Sequence, residues 1–403
     1  MAHADLSIPA GPMADRPLTR RAFARLAAAA AVLPPLATLG RALPNPRRIA
    51  TPASTRAAWP GYDAAIVIDC LASPGPFNVP RMFDGPLTPA MVTNARASGI
   101  TAVNYTLHGF ANGPQAFLEA MRAIAFAERE LDAHPDALLK VKTVVDLRAA
   151  KAAGKLGLIF GFQDATMLED DVSRVDLFHA SGVRILQLTY NTRNLVGDGC
   201  LERGNGGLSG FGRAVVSRMN ERGILVDLSH VGVRTTADAI AASGKPVAFT
   251  HSGCRALNDV PRNKGDAEIR ALAERGGVMG IYLMPFLRAS GAPSTEDLLR
   301  HIEHALDVAG EDHVGIGSDL SITPLELTPE FRAVHAGFVR QRRSAGIGAP
   351  GEAEDVFNYV PELNVPRRLE LIAERLAARG HGSARIAKVL GGNWLRLFGE
   401  VWR

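Results

Sequence analysis

The sequence predicts an α/β protein, a single (β/α)8 TIM barrel, on three observations. Short apolar, β-branched runs recur eight times, amphipathic stretches separate them, and the chemically capable polar residues fall just past the ends of the runs. In order, the runs occupy residues 65–68, 100–105, 156–162, 183–189, 225–228, 246–250, 278–282 and 314–316. Each is continuous rather than alternating, as parallel strands covered on both faces must be. Helical patterns lie at 114–131, 172–181, 211–222, 235–242, 268–275 and 295–309. Gly182, Gly223, Gly244, Gly276 and Gly310 stand where helix C-termini favour glycine. Eight alternations argue for a closed barrel, although an open doubly wound sheet would show the same rhythm.

Two segments break the alternation. Residues 190–207 form a Gly/Asn-rich loop after the fourth run, where barrels commonly place function. Residues 324–361 read as irregular, with an Arg-rich helix around 340–343, wrapping the outside. The tail, 366–380 and then 383–397, reads as two closing helices.

The chain has 403 residues, 47% apolar and 21% charged, the balance of a folded globular protein. A net charge of +4 gives no electrostatic case for nucleic acid as a partner. The three cysteines, Cys70, Cys200 and Cys254, are too few for a disulfide scaffold and odd in number.

Residues 1–45 read as an export signal and linker, leaving 46–403 as the barrel domain. Thr19-Arg20-Arg21-Ala22-Phe23 is a twin-arginine signature, followed by the apolar stretch 26–39 and a small-residue exit at Gly40-Arg41-Ala42. That stretch is short for a transmembrane helix. The expectation is a periplasmic protein, a partner of the twin-arginine export machinery, delivered already folded.

The polar residues carry the chemistry. Asp69 follows the first run, Gln163 ends the third, and Tyr190-Asn191 follow the fourth. His230 and His251 follow the fifth and sixth, and Asp319 follows the eighth. In a barrel all of these converge on the carboxyl-end mouth. Two imidazoles and a carboxylate there suit a divalent metal such as zinc. His301 and His304, three apart on a helix, read as a solvated face. All three cysteines are expected near the mouth, where a Cys70–Cys200 disulfide, thiolate ligation and plain burial stay open. Asp198 and Glu202 are further conceivable ligands.

From about residue 62 onward the chain resembles the membrane (renal) dipeptidase family. The resemblance rests on Gly182-Val183-Arg184, Leu188-Thr189-Tyr190-Asn191, residues 206–212, Met219-Asn220, residues 223–230, His251-Ser252, Pro261-Arg262-Asn263, Gly276-Gly277-Val278, Gly317-Ser318-Asp319 and Gly391-Gly392-Asn393. It implies a two-zinc hydrolase of dipeptides and related small amides. By resemblance, His230 and His251 are ligands of one zinc, Asp319 handles the proton, and Arg262, beside Asn263, holds the substrate's carboxylate.

The departures are equally specific. The family's first strand ends in Asp-Gly-His-Asn-Asp, whose His and last Asp bind the other zinc. Here the segment is Asp69-Cys70-Leu71-Ala72-Ser73. The bridging glutamate is Gln163, and a histidine that polarises the substrate carbonyl is Tyr190. The expectation is therefore one metal rather than two, held by His230, His251 and weakly by Gln163, with Asp319 as base or further ligand. The partner is a small peptide-like substrate, and a homodimer is compatible with this reading. Two alternatives stay open: an enzyme of another reaction type modifying a peptide natural product such as a siderophore precursor, and a non-catalytic binding protein. For targeting, replacing Arg20-Arg21 by Lys-Lys should stop export; full-length protein accumulating in the cytoplasmic fraction checks it, and unchanged periplasmic delivery refutes it.

Overall fold

The computed structural model describes residues 59–78, 85–108 and 115–402, so the export signal lies outside the described residues. Eight parallel strands close a barrel. They are β1 (Ile68–Asp69), β3 (Ala102–His108), β5 (Leu156–Phe162), β6 (Val183–Gln187), β7 (Leu225–Asp227), β8 (Ala248–Ser252), β9 (Val278–Ile281) and β10 (Val314–Ile316). Asp69 pairs with Ile316, and β3 pairs with β5, so the ring has no open edge. All eight apolar runs thus became strands, and the closed barrel, not the open sheet, is the outcome.

Three strands were not foreseen. β4 (Leu138–Lys140) pairs with the first half of β5, and β6 takes over that edge of β5 at Phe160. β2 (Ala72–Ser73) and β11 (Leu320–Ser321) form a separate parallel pair just past β1 and β10, raising the rim on that side.

Apolar packing occurs in two layers. Outside the strands, Phe160, Phe178, Val215 and Met219 belong to the large cluster beneath the helices. Inside, Ile68, Ala102, Ile159, Ile185, Leu225, Ala248 and Val278 form a smaller cluster with Trp394, Phe398 and Trp402. Several of these residues open their strands, so the terminal helix Asn393–Val401 closes the amino end of the barrel. Glycine makes the fit possible: a Cβ on Gly315 would lie 2.4 Å from Trp394 Nε1. That nitrogen donates to Ile316 O at 3.1 Å. Of the predicted closing helices the last is therefore a floor, whereas the earlier one, Arg368–Ala378, begins with Arg368 at the mouth. Helix starts follow local chemistry: Thr143 caps Val144–Ala153 in a reciprocal pair with Asp146, and Ser294 does so with Asp297.

The segment 324–361 departs from expectation. It contains the helix Pro329–Ser344, begun by the Thr328 cap and Pro329, and this helix covers the mouth instead of wrapping the outside. Its buried His335, Phe338, Val339 and Arg342 explain why: that face closes over the site. For the floor, Trp394→Ala should cost about 3–5 kcal/mol of unfolding free energy. Denaturant unfolding measures it, and a loss below about 1 kcal/mol would show that the helix does not brace the barrel.

Candidate active site

The centre of the mouth is a pair of imidazoles whose Nε2 atoms face each other at 2.9 Å. Both rings are buried. Each is oriented from its other nitrogen. Asp227, at the end of β7, accepts from Ser229 N (3.0 Å), Ser229 Oγ (2.5 Å), Thr250 N (3.0 Å) and Thr250 Oγ1 (2.6 Å). With its proton on Asp227, Thr250 Oγ1 is the acceptor in its 2.8 Å contact with His251 Nδ1. On the other side, Asn191 Nδ2 donates to Ile347 O at 2.8 Å, which turns Asn191 Oδ1 toward His230 Nδ1 at 2.6 Å. Both rings therefore carry their hydrogen on Nδ1, and both Nε2 lone pairs point at one spot. Burial, joined by the Arg262 guanidinium, holds both imidazoles well below the ordinary histidine range, so both are neutral at pH 7.

Tyr190 lies flat on His230, ring centroids 4.1 Å apart. Its hydroxyl accepts from Arg342 Nη1 at 3.1 Å. Arg342 is clamped by Glu352 through two bonds of 2.8 and 2.9 Å. The loop carrying Tyr190 is fixed by Arg193, which grips Asp198 at 2.6 and 3.1 Å, and by Gly199, where a Cβ would strike Tyr190 O at 2.2 Å. Arg342 was missed by sequence reasoning. The Arg-rich stretch was visible, but nothing in it told a buried arginine from a solvated one.

Arg262 is buried, donates to Ser229 O at 2.9 Å and His251 O at 3.4 Å, and lines the cavity beside His230. Asn263 does not line the cavity. Its Oδ1 accepts from the Tyr282 hydroxyl, and its Nδ2 donates to Asn258 O and Phe286 O, so it braces the Arg262 loop rather than meeting substrate. Asp319 sits at φ +63°, a left-handed conformation that side chains rarely adopt. Its N–H donates to Leu71 O at 2.8 Å, and Asn78 Nδ2 donates to its carbonyl at 2.9 Å. Burial pushes its carboxyl up to about 7, against the lowering pull of Arg262 and Asn78. Gln163 is buried at the end of β5, its carbonyl accepting from Gln187 Nε2.

Among the described residues, no three His, Cys, Asp or Glu side chains converge on one point. Leu71 is fully buried and Ser73 Oγ accepts from Gly75 N, so the first-strand ligand positions are filled by packing. The replacements considered do not supply them. Asp198 is held by Arg193, and Glu202 accepts from Arg193 N at 2.8 Å. Cys70 and Cys254 are buried free thiols away from the cavity, Cys70 in the barrel-interior cluster and Cys254 against His301 O. Cys200, also free, touches Asn191 Oδ1 at 3.4 Å. His301 is not on a solvated face: it is buried, bonded to Cys254 N and Leu287 O.

The pattern of the family described as Membrane dipeptidase (Peptidase family M19) matches residues 71–329. Dipeptidase verJ of Clonostachys rogersoniana is 31% identical over 204 residues, 49% of this chain and 52% of that one. Dipeptidase aclJ of Aspergillus oryzae is 28% identical over 290 residues, 70% of this chain and 61% of that one. The chain thus spans only about half to three-fifths of these two relatives. Among solved structures, an amidohydrolase from Pseudomonas aeruginosa is 32% identical with a TM-score of 0.72, covering 85% of this chain and 98% of that one. A Rhodobacter sphaeroides metallo peptidase, liganded with a phosphinate mimic of the dipeptide L-Ala-D-Ala, shares the fold at 20% identity and a TM-score of 0.67, covering 84% of this chain and 100% of that one.

The raised carboxyl of Asp319 has a signed consequence. The folded state holds its proton more tightly than the unfolded chain, so this group's stabilisation is complete below pH 4 and is lost as pH rises toward 7. Asp319→Asn removes that loss. In chelator, its melting temperature should exceed wild type by several degrees near pH 8 and by far less near pH 5. An equal offset at both values would refute the assignment.

Proposed function

Because the chain belongs to the membrane dipeptidase family, peptidase family M19, we propose that it is a hydrolase of small peptide-like amides bearing a free carboxylate, working with one divalent metal rather than two. The observation that carries this reading is the facing pair of Nε2 lone pairs at 2.9 Å. Two neutral imidazoles repel in that arrangement unless a cation lies between or beside them, and zinc suits such donors. His230 and His251 would hold it, Gln163 would be a weak third donor, and Asp319 is a base within the same mouth. The residues fit one such ion and not a second, since Leu71 cannot ligate. A bound divalent cation would polarise the amide carbonyl and make a water nucleophilic near neutral pH.

The chain's own groups do the rest. Arg262 pairs with the substrate carboxylate and so fixes where the amide lies. Asp319, with its carboxyl near 7, is matched to take the proton of the attacking water and return it to the leaving nitrogen. Water adds to the carbonyl carbon, the C–N bond breaks, and a carboxylate and an amine leave. Tyr190, its hydroxyl held by Arg342, would donate to the developing oxyanion. The proposal includes periplasmic delivery by the twin-arginine route, supported by Arg20-Arg21 and the apolar stretch after them.

Metal analysis of the full chain, expressed with zinc and dialysed, should give close to one ion, and His251→Ala should retain much less. Hydrolysis of L-Ala-L-Ala should be slow, stop with chelator, and vanish in His251→Ala. One lost oxyanion donor alone costs about a hundredfold or more. Gln163→Glu alone should not restore rapid turnover. Two tightly held ions per chain, or rapid chelator-resistant hydrolysis, would overturn the reading.

A further inference from the structure

The mouth contains two cavities that meet at Asp319. The first, beside His230 and Arg262, is only about 30 Å³ as its side chains stand, so a carboxylate reaches Arg262 when the lining side chains shift to admit it. The second lies on the far side of Asp319 and encloses about 310 Å³, within the size range of small-ligand sites. Asn78, Asp319, His335 and Asn358 border both. The second chamber has apolar walls from Phe77, Met91, Leu320, Pro324, Phe331 and Tyr359, the exposed carboxylate of Glu326, and one buried cation, Arg368.

Arg368 differs from most arginines of this fold. Arg342 grips Glu352, and Arg367 grips Asp63 and Glu370. The hydrogen bonds of Arg368 go only to backbone carbonyls: Nη2 to Ser321 O at 2.6 Å and Ile322 O at 3.0 Å, and Nε to Val365 O at 3.3 Å. Asp69 acts on it through space, but Asp69 Oδ1 already accepts from Ser318 N and Leu71 N. A buried guanidinium without a carboxylate partner is costly, and one that lines a cavity can gain its partner from a ligand. Arg262 has the same character on the histidine side, bonded only to Ser229 O and His251 O. One such cation therefore lines each of the two cavities that meet at Asp319.

We propose that the chamber beyond Asp319 is a second anion subsite, which takes the apolar acyl part of the amide substrate and pairs a carboxylate at its far end with Arg368. The substrate class is then an N-acyl amino acid with a negative group at each end, Arg262 holding one and Arg368 the other. The assignment rests on the hydrolase reading for the placement of the amide at Asp319. The binding site itself does not depend on turnover.

The probes are N-glutaryl-L-alanine and N-pentanoyl-L-alanine, which share length and differ in a terminal carboxylate against a methyl. Calorimetry on the full chain should show the glutaryl compound binding about tenfold tighter or more. Arg368→Met should abolish that preference, and Arg368→Lys should keep part of it. Arg262→Met should weaken both compounds alike. Should Arg368→Met fail to fold, Met91→Trp narrows the chamber without touching Arg368 and should weaken both. Equal binding of the two compounds by wild type, or a preference that survives in Arg368→Met, overturns the subsite; binding by Met91→Trp equal to wild type also overturns it. Release of alanine is scored separately. Discrimination without release sinks only the hydrolase reading, and release without discrimination sinks only the subsite.

Discussion

Two unprotonated ring nitrogens held 2.9 Å apart in a buried site set the terms for everything around them. Neither can turn away. Thr250 and Asn191 take the Nδ1 hydrogens, and those acceptors are themselves fixed by Asp227 and by the carbonyl of Ile347. Asp227, fully buried, is satisfied by four donors, two from Ser229 in the turn after β7 and two from Thr250 on β8. This is the outer support that orients imidazole ligands and selects their tautomer. A shared proton would also relieve the facing lone pairs, but burial and Arg262 disfavour a charged imidazole. Coordination by two nitrogens offsets that cost better than one hydrogen bond can.

The same constraint explains the cover. Asn191 can present its oxygen to His230 only because its amide nitrogen has a partner in Ile347, which belongs to the segment over the mouth. That segment also carries Arg342, whose guanidinium holds the Tyr190 hydroxyl and is neutralised by Glu352. The histidine pair and its roof are thus one hydrogen-bonded system, and the roof leaves almost no space above the imidazoles. Room for a ligand lies sideways, past Asp319.

The barrel was legible because its signal is local. Each strand is a continuous apolar run, and register places the residue after the run at the mouth, so His230, His251 and Asp319 came out together, whereas Arg262 was reached only through the family resemblance. What was hidden depends on partners distant in sequence. β4, β2 and β11 are two or three residues long and exist only by pairing with neighbours, leaving no periodicity to read. The helix Pro329–Ser344 is polar on average, so its buried face was masked by its arginines; burial of Arg342 follows from Glu352 and Tyr190, not from local pattern. Asn263 was misjudged for the same reason, since its amide is consumed by Tyr282 and two carbonyls. Cys70, in the bend just past β1, and Cys254, at an isolated bridge just past β8, are both buried in the core.

The altered first strand offers no imidazole or carboxylate at positions 71 and 73, yet it still holds Asp319 in place. A histidine and an aspartate at positions 71 and 73 would act through side chains, whereas Leu71 and Ser73 act here through backbone. Leu71 O accepts from Asp319 N, and Ser73 O accepts from Ile322 N, so the rim pairing of β2 with β11 brackets Asp319 whatever side chains stand opposite. That bracketing keeps Asp319 in its strained left-handed conformation, at the wall between the two cavities. Leu71 is fully buried, and burial is the largest cause of the raised Asp319 carboxyl. A carboxyl raised by burial to about 7 can both accept and return a proton near neutral pH. On the one-metal reading proposed above, more of the catalytic burden therefore falls on Asp319.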